Sequence, residues 1–479
     1  MNKSVNRRTL FANFGTGIGG LALASILADS IQGSKPVSRS SIDSSSLAPH
    51  STHRSARATS VIQLFMHGGP SHVDLLDPKP ALDRFDGTNP PAEILDDEQR
   101  TQYLLKSPFR FKPHGESGVA FSEVMPNVAK HADDIAVIRS MFTEHRNHEQ
   151  AIWMAQTGLI TSGRPNIASW ITYALGSENQ NLPAYVVLPD PSGLPVDGIR
   201  NWSSGWLPPV FQGTPFRSDG VPVLHLTPKA SRSQTIRESR LKLLRKLNLN
   251  HQKQRPSEQD LEARIASFEL AARMQLRASD ALDVRQETAK TQSLYGLDNP
   301  TTASYGLRCL MARRLVERGV RFVQLFMKGQ PWDTHTQNTK GLRSCCAQTD
   351  PPIGGLLSDL KRRGLLDTTL VLWGGEFGRT PGAELRGSNV TKGNEGRDHH
   401  PYGFSVWAAG GGIQGGQVRG ATDDFGYRSI VDRTQTADLH ATILHLMGLD
   451  HDLLTYQHNG RSERLTDVYK AHVLHSLLA

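Results

Sequence analysis

The chain has 479 residues, with 54 Lys and Arg against 46 Asp and Glu, a net charge of +8, and three cysteines, Cys309, Cys345 and Cys346. Lys3, Arg7, Arg8, Lys35, Arg39, Arg54 and Arg57 stand against only Asp29 and Asp43 in residues 1–59, so the rest of the chain is weakly basic; with no aromatic-basic motif, this argues against a nucleic-acid partner. An odd cysteine count with an adjacent pair excludes a disulfide framework, and no stretch after residue 30 is long and apolar enough to span a membrane.

The first element is a targeting segment. Arg7 and Arg8 are followed by Leu10 and Phe11, then by a weakly apolar, Gly-rich run from Phe14 to Ala28. A basic start, a paired arginine and a short apolar stretch read as a twin-arginine export signal over residues 1–30, bound for the periplasm or cell envelope. An uncleaved anchor stays open. Residues 31–59 are Ser-rich without apolar periodicity; such a segment cannot offset its ordering entropy by burial and reads as a disordered linker.

From residue 60 onward short apolar runs read as buried strands: Val61 to Met66, Ile135 to Ile138, Ala184 to Leu188, Arg321 to Met327, Thr369 to Trp373 and Phe404 to Ala408. Between them lie helical patterns. Ile167, Trp170, Ile171 and Ala174 share a face in Asn166 to Leu175, and Leu307, Leu310, Met311 and Leu315 in Ser304 to Val316. Further helices are expected over Pro352 to Arg362 and Asp438 to Met447. Strands alternating with helices predict an α/β fold, a mostly parallel sheet covered on both faces. Residues 228–292 break the rhythm; charged and helical, with Pro256 between two helices, they read as a helical insertion in a domain spanning 60–479.

Four polar clusters flank predicted strands, where α/β proteins place their sites. They are His67-Gly68-Gly69-Pro70-Ser71-His72-Val73-Asp74, Trp332-Asp333-Thr334-His335, Gly374-Gly375-Glu376-Phe377-Gly378-Arg379-Thr380 and Gly396-Arg397-Asp398-His399-His400-Pro401. In extended backbone Asp333 and His335 point the same way and can share an ion. Mixed carboxylate and imidazole sets suit a divalent ion such as zinc, iron, manganese or calcium. His440 and His445, five apart on a helix, do not share a face and read as core or capping residues.

These clusters make the chain similar to a known bacterial family. Together with Asp77-Pro78-Lys79-Pro80, Asn147-His148-Glu149, the run Ala312 to Val320 and Asp438 to His445, they resemble the "domain of unknown function 1501" (DUF1501) family from about Val61 to the C-terminus. That family in turn looks like a branch of the alkaline phosphatase and sulfatase superfamily. The resemblance implies a three-layer α/β/α sandwich, alkaline phosphatase-like, with a metal site at strand ends. It implies metal ligation by Asp333, His335, Glu376, Asp398 and His399, and places Ser71 and Asp74 in the nucleophile region. His148 or His400 would protonate a leaving group, and Arg379 or Arg397 would hold an anionic group. The implied partner is an anionic sulfate or phosphate ester, including sulfated polysaccharide. The sulfatase cysteine motif is missing: Cys309-Leu-Met-Ala-Arg313 lacks the proline and lies on an apolar helix face, so Cys309 reads as core. The rival reading is a non-catalytic envelope binding protein that kept the fold; a redox protein lacks a Cys-x-x-Cys-His haem motif.

Overall fold

The computed structural model describes residues 47–91, 101–218, 234–254, 265, 268–271, 273–274, 282–384 and 393–479. The segment expected to be a signal, most of the expected linker and much of the expected helical insertion lie outside the described residues. The chain divides into two units. The smaller one contains the helix α4 (Gln234–Lys253), which covers the first helix expected in the insertion. The larger unit, residues 46–231 and 273–479, carries the sheet.

Nine strands build that sheet: β1 (Ser60–Phe65), β2 (Ile135–Phe142), β3 (Tyr185–Leu188), β4 (Thr214–Pro215), β5 (Phe322–Phe326), β6 (Thr369–Gly374), β7 (Phe404–Ala409), β8 (Gln417–Arg419) and β9 (Thr434–Gln435). The order is β8-β2-β7-β6-β1-β5-β3-β4, with β9 paired to β2. All pairings are parallel except those of β7, which runs against both β2 and β6. The expected strands are present because their runs are apolar on both faces. Val61, Ile62 and Leu64 of β1, and Val323 and Leu325 of β5, are fully buried, each such side chain adding about 1.5–3 kcal/mol. Across the antiparallel seam Trp373 opposes Trp407, and the two rings stack 6.2 Å apart.

Helices cover both faces. Over one lie α2 (His148–Thr157), α3 (Ile167–Leu175) and α7 (Thr436–Leu446), which enclose a small, mainly apolar cavity with Gln63 and Phe65 of β1. Residues alternate along a strand, so Ile62 and Leu64 face the other side. There α5 (Ala303–Val316) packs on β1, β5 and α6 (Asn338–Arg362). α1 is one turn, His72–Leu75, after β1. No helix among the described residues is long and apolar enough to cross a membrane.

Two expectations need correction. The helix read from Pro352 begins at Asn338 and runs through Pro351 and Pro352. Proline interrupts helical hydrogen bonding, yet here Cys345, Cys346, Ile353, Leu356 and Leu360 line one buried face across the break. The linker also ends earlier than residue 59. His50 N donates to Leu175 O at 3.0 Å, and Arg57 and Ala58 N both donate to Leu446 O, tying residues 47–59 to α3 and α7.

The topology positions the site. β1, β2, β5 and β6 run in one direction, so the loops after them emerge at one edge: Gly68 to Asp74, the stretch to His148, Trp332 to His335, and Gly375 to Arg379. β7 runs the opposite way, so its lead-in, Asp398 to His400, starts at that same edge.

Candidate metal centre

The centre is assembled around Asp333. Gly68, at φ 111°, turns the chain so tightly that a Cβ there would lie 2.3 Å from Asp333 N, so this turn and the Trp332–Asp333 backbone fit only through glycine. His148 opens α2, with Asn147 as its N-cap. His399 sits on a short antiparallel ladder against Arg379, and His335 lies just before α6.

Asp333 Oδ1 is 3.0 Å from His335 Nε2 and 3.2 Å from His399 Nε2, while Oδ2 is 3.3 Å from His148 Nε2. The Nε2 atoms of His335 and His399 are 2.9 Å apart. An ion bonded at about 2.0–2.2 Å holds neighbouring ligand atoms about 3–3.5 Å apart. Asp333 and His399, together with either His148 or His335, thus have the spacing and the chemistry of a divalent-ion site. Donor atoms of His148, Asp333 and His399 form one group of metal-ligand reach, and those of His335, Asp398 and His399 a second that shares His399.

Two buried carboxylates stand behind the imidazoles. Glu376 Oε1 accepts from His148 Nδ1 at 2.6 Å and from Gly68 N at 2.9 Å. Glu384 Oε2 lies 2.5 Å from His335 Nδ1. Both bonds leave the Nε2 atom for the centre.

The electrostatics follow from burial and these contacts. Burial works to raise the Asp333 carboxyl, but His148, His335, His399 and Arg379 together hold it far below the usual carboxylate range. Burial works to lower His335, yet its bonds to Asp333 and Glu384 raise it to about 9. His148 is raised by Asp333 and Glu376 against the same burial. His399 goes the other way: burial and the charge of Arg379 take it to about 4 despite Asp333. Burial works against ionisation of Glu376, but the bond from His148 keeps its carboxyl below the ordinary value.

The residues singled out in the sequence separate into two groups. Asp333, His335 and His399 converge, joined by His148, which was expected to donate a proton rather than to face an ion. Glu376 stands behind His148 instead of among the converging atoms. Asp398 Oδ1 caps the His399 amide at 2.8 Å and lies 3.7 Å from His335 Nδ1.

Ser71 and Asp74, expected at the reaction centre, are tied to each other and to framework side chains. Ser71 Oγ donates to Asp74 Oδ2 at 2.6 Å, and Asp74 also accepts from Arg397 at 2.8 and 3.0 Å and from Asn338 at 2.8 Å. All but Asn338 are completely buried, and Asn338 is nearly so. The reason lies in α1: Ser71 is its N-cap residue and Asp74 its third helical residue, a spacing that turns both inward.

Arg379 is not placed to hold a substrate. Its guanidinium is buried and donates to the carbonyls of Gly68, Gly69 and Arg397 and to Asp333 Oδ1. His400 is buried against Tyr427 O, and burial pushes it down to about 3, which removes it as a proton donor near neutral pH. Cys309 is fully buried and burial raises its thiol, as a core residue requires. Nothing in the sequence pointed to Glu384, which lies in no motif, or to Gln330, whose Nε2 donates to Asp333 Oδ2 at 2.6 Å.

An open cleft of about 410 Å³ leads to the centre, lined by Asn147, His148, Glu149, Gln150, Val196, Gln330 and His399. His148 and His399 thus face both the converging donors and solvent.

Residues 58–478 match the model of the family described as "Protein of unknown function (DUF1501)", and the chain belongs to that family. No curated protein matches the sequence. Among solved structures, the PsFucS1 sulfatase from a Pseudoalteromonas species is similar with TM-score 0.35 and 14% identity, over 83% of this chain and 69% of that one. The alkaline phosphatase from the Antarctic bacterium TAB5 is similar with TM-score 0.31 and 12% identity, over 81% and 98%. The lipoteichoic acid synthase LtaP from Listeria monocytogenes is similar with TM-score 0.34 and 9% identity, over 85% and 77%. These likenesses are too loose to carry chemistry over to this chain.

Proposed function

We propose that the chain is an exported hydrolase of anionic esters, phosphate or sulfate, that depends on a divalent metal ion held by Asp333, His148, His335 and His399. The observation that carries this reading is the convergence of three imidazole Nε2 atoms on one carboxylate, beside an open cleft that His148 and His399 line. Three imidazoles and one carboxylate suit zinc, iron or manganese better than calcium, which prefers oxygen. When bound, such an ion would polarise an ester oxygen and lower the pKa of water.

The chain's own groups supply the rest. Gln330 bonds Asp333 Oδ2 and lines the cleft, linking bound substrate to the carboxylate. Asn147 and Gln150 offer amides to a polar leaving group at the rim. Ser71, Asp74 and Arg379 serve as framework in this reading, so attack falls to water rather than to Ser71. The Arg7-Arg8 segment supports export.

One observation favours the rival, a binding protein that kept the fold. Ser71 and Arg379, which the family resemblance placed near the reacting ester, are both spent on internal bonds. Metal analysis of the purified full chain, followed by hydrolysis assays on phosphate and sulfate mono- and diesters, separates the two. A metal-free protein with no hydrolysis overturns the proposal; bound metal without hydrolysis favours the binding reading.

A further inference from the structure

We infer that Glu384 is a positioning residue that fixes the ring orientation and tautomer of His335, so that its Nε2 is presented to a metal ion; this rests on the metal-binding reading above.

The geometry is local and specific. Glu384 is 1% exposed, and its Oε2 meets His335 Nδ1 at 2.5 Å. The opposite ring nitrogen is the one that meets Asp333 Oδ1 and His399 Nε2. A neutral imidazole, the form that ligates a metal, offers its Nε2 lone pair when its Nδ1 hydrogen is given to a carboxylate on the other side. Glu376 and His148 repeat the same arrangement in the same centre. Two of the three converging imidazoles are therefore backed by buried carboxylates at Nδ1.

The backbone around Glu384 supports the role. Gly382–Glu384 pairs antiparallel with the strand Thr101–Leu104, and Glu384 N donates to Gly396 O at 2.9 Å. Thr336 is bridged to Glu395, so a strap at Glu395–Gly396, itself paired with Glu384, lies along the residue after His335. A Cβ on Gly396 would fall 1.9 Å from the His335 carbonyl. The strap thus holds the His335 main chain, while Glu384 reaches its ring. None of this follows from sequence spacing, since Glu384 is 49 positions from His335.

The test measures zinc or manganese affinity of the full chain against a competing chelator. Variants are Glu384→Ala and Glu384→Gln, each alone and with His335→Ala, with thermal melting as the check on folding. Glu384→Ala weakens metal binding about 10- to 100-fold, the usual range for loss of such a partner. Glu384→Gln, which can still accept the Nδ1 hydrogen, loses less. Without His335 the Glu384 substitutions change affinity by less than about two-fold, because their effect acts through that ring.

Absorption bands of the cobalt-loaded protein give a second readout, shifting in Glu384→Ala as the ligand field changes. The inference is overturned if Glu384→Ala binds metal as tightly as the parent, if its loss is equally large without His335, or if the cobalt bands stay in place. A parent chain that takes up no metal overturns the metal-binding reading as well. Metal uptake with an indifferent Glu384 overturns this inference alone.

Discussion

Arg379 Nη2 donates to Asp333 Oδ1 across 2.6 Å, from a guanidinium that is entirely buried. The same side chain holds the carbonyls of Gly68 and Gly69. It therefore joins the glycine turn after β1 to the carboxylate of the centre. Arg379→Ala takes the guanidinium from Asp333 and leaves the carbonyls of Gly68, Gly69 and Arg397 without that donor. Loss of about 3–5 kcal/mol is expected, as when one partner of a buried pair is removed. Urea unfolding measures it; Arg379→Lys, which keeps the charge but not the planar fork, should recover only part. A loss under about 1 kcal/mol, the level of an exposed pair, would refute the bracing role.

Ser71 and Asp74 give a sharper contrast. Ser71→Ala removes one hydrogen bond from a buried carboxylate that keeps Arg397 and Asn338, and costs about 1–2 kcal/mol. Metal uptake, and any ester hydrolysis, should stay within about two-fold of the parent, because no bond to substrate is lost. Asp74→Ala leaves the Arg397 guanidinium buried and unpaired and should cost about 3–5 kcal/mol. A large fall in turnover for Ser71→Ala at unchanged stability would restore Ser71 as the attacking group.

Much of this was legible in the sequence. The six longest sheet strands were visible because runs such as Val61 to Met66 are buried on both faces and leave no polar alternation to confuse them. The edge location of the four clusters was legible too, since each abuts a strand. What the sequence hid were contacts made by fold closure. Glu384 reaches His335 only because the strand Gly382–Glu384 pairs with Thr101–Leu104. The direction of β7, which brings Asp398 and His399 to the edge where other loops leave, is a property of topology alone. Ser71 and Asp74 have the Ser-x-x-Asp spacing of a helix start, but that their side chains meet each other and Arg397 is a product of the fold.

Acid stability should depend on His440. It is fully buried in α7, its Nε2 bonds Ala155 O at 2.9 Å, and burial lowers it from 6.5 to about 4. Between these two pH values the unfolded chain carries a proton on this residue and the folded chain does not. The contribution of this residue is therefore constant above about pH 6.5 and turns destabilising as pH drops toward 4, by on the order of 2–3 kcal/mol. Denaturant unfolding at a series of pH values reads the slope. His440→Gln should flatten it over this window; an unchanged slope would assign the acid sensitivity elsewhere.

The turn after β1 provides the most economical test of how the centre is built. Gly68 adopts φ 111°, where a side chain is strained, and a Cβ there meets Asp333 N at 2.3 Å and Trp332 C at 2.7 Å. Gly68→Ala must therefore push back the Trp332–Asp333 segment, or pull the Gly68 amide away from Glu376 Oε1. The first displaces Asp333, and the second loosens the carboxylate behind His148. Either route should weaken metal binding at least about ten-fold, on the scale of a lost supporting contact. Gly87→Ala is the control: it also has positive φ, 77°, but a Cβ there meets nothing within 4 Å. It shares the backbone strain, on the order of 1 kcal/mol, without touching the centre. Calorimetric metal titration of the two variants separates strain from displacement. Equal metal affinity in both would show that the Gly68 turn does not set the position of Asp333.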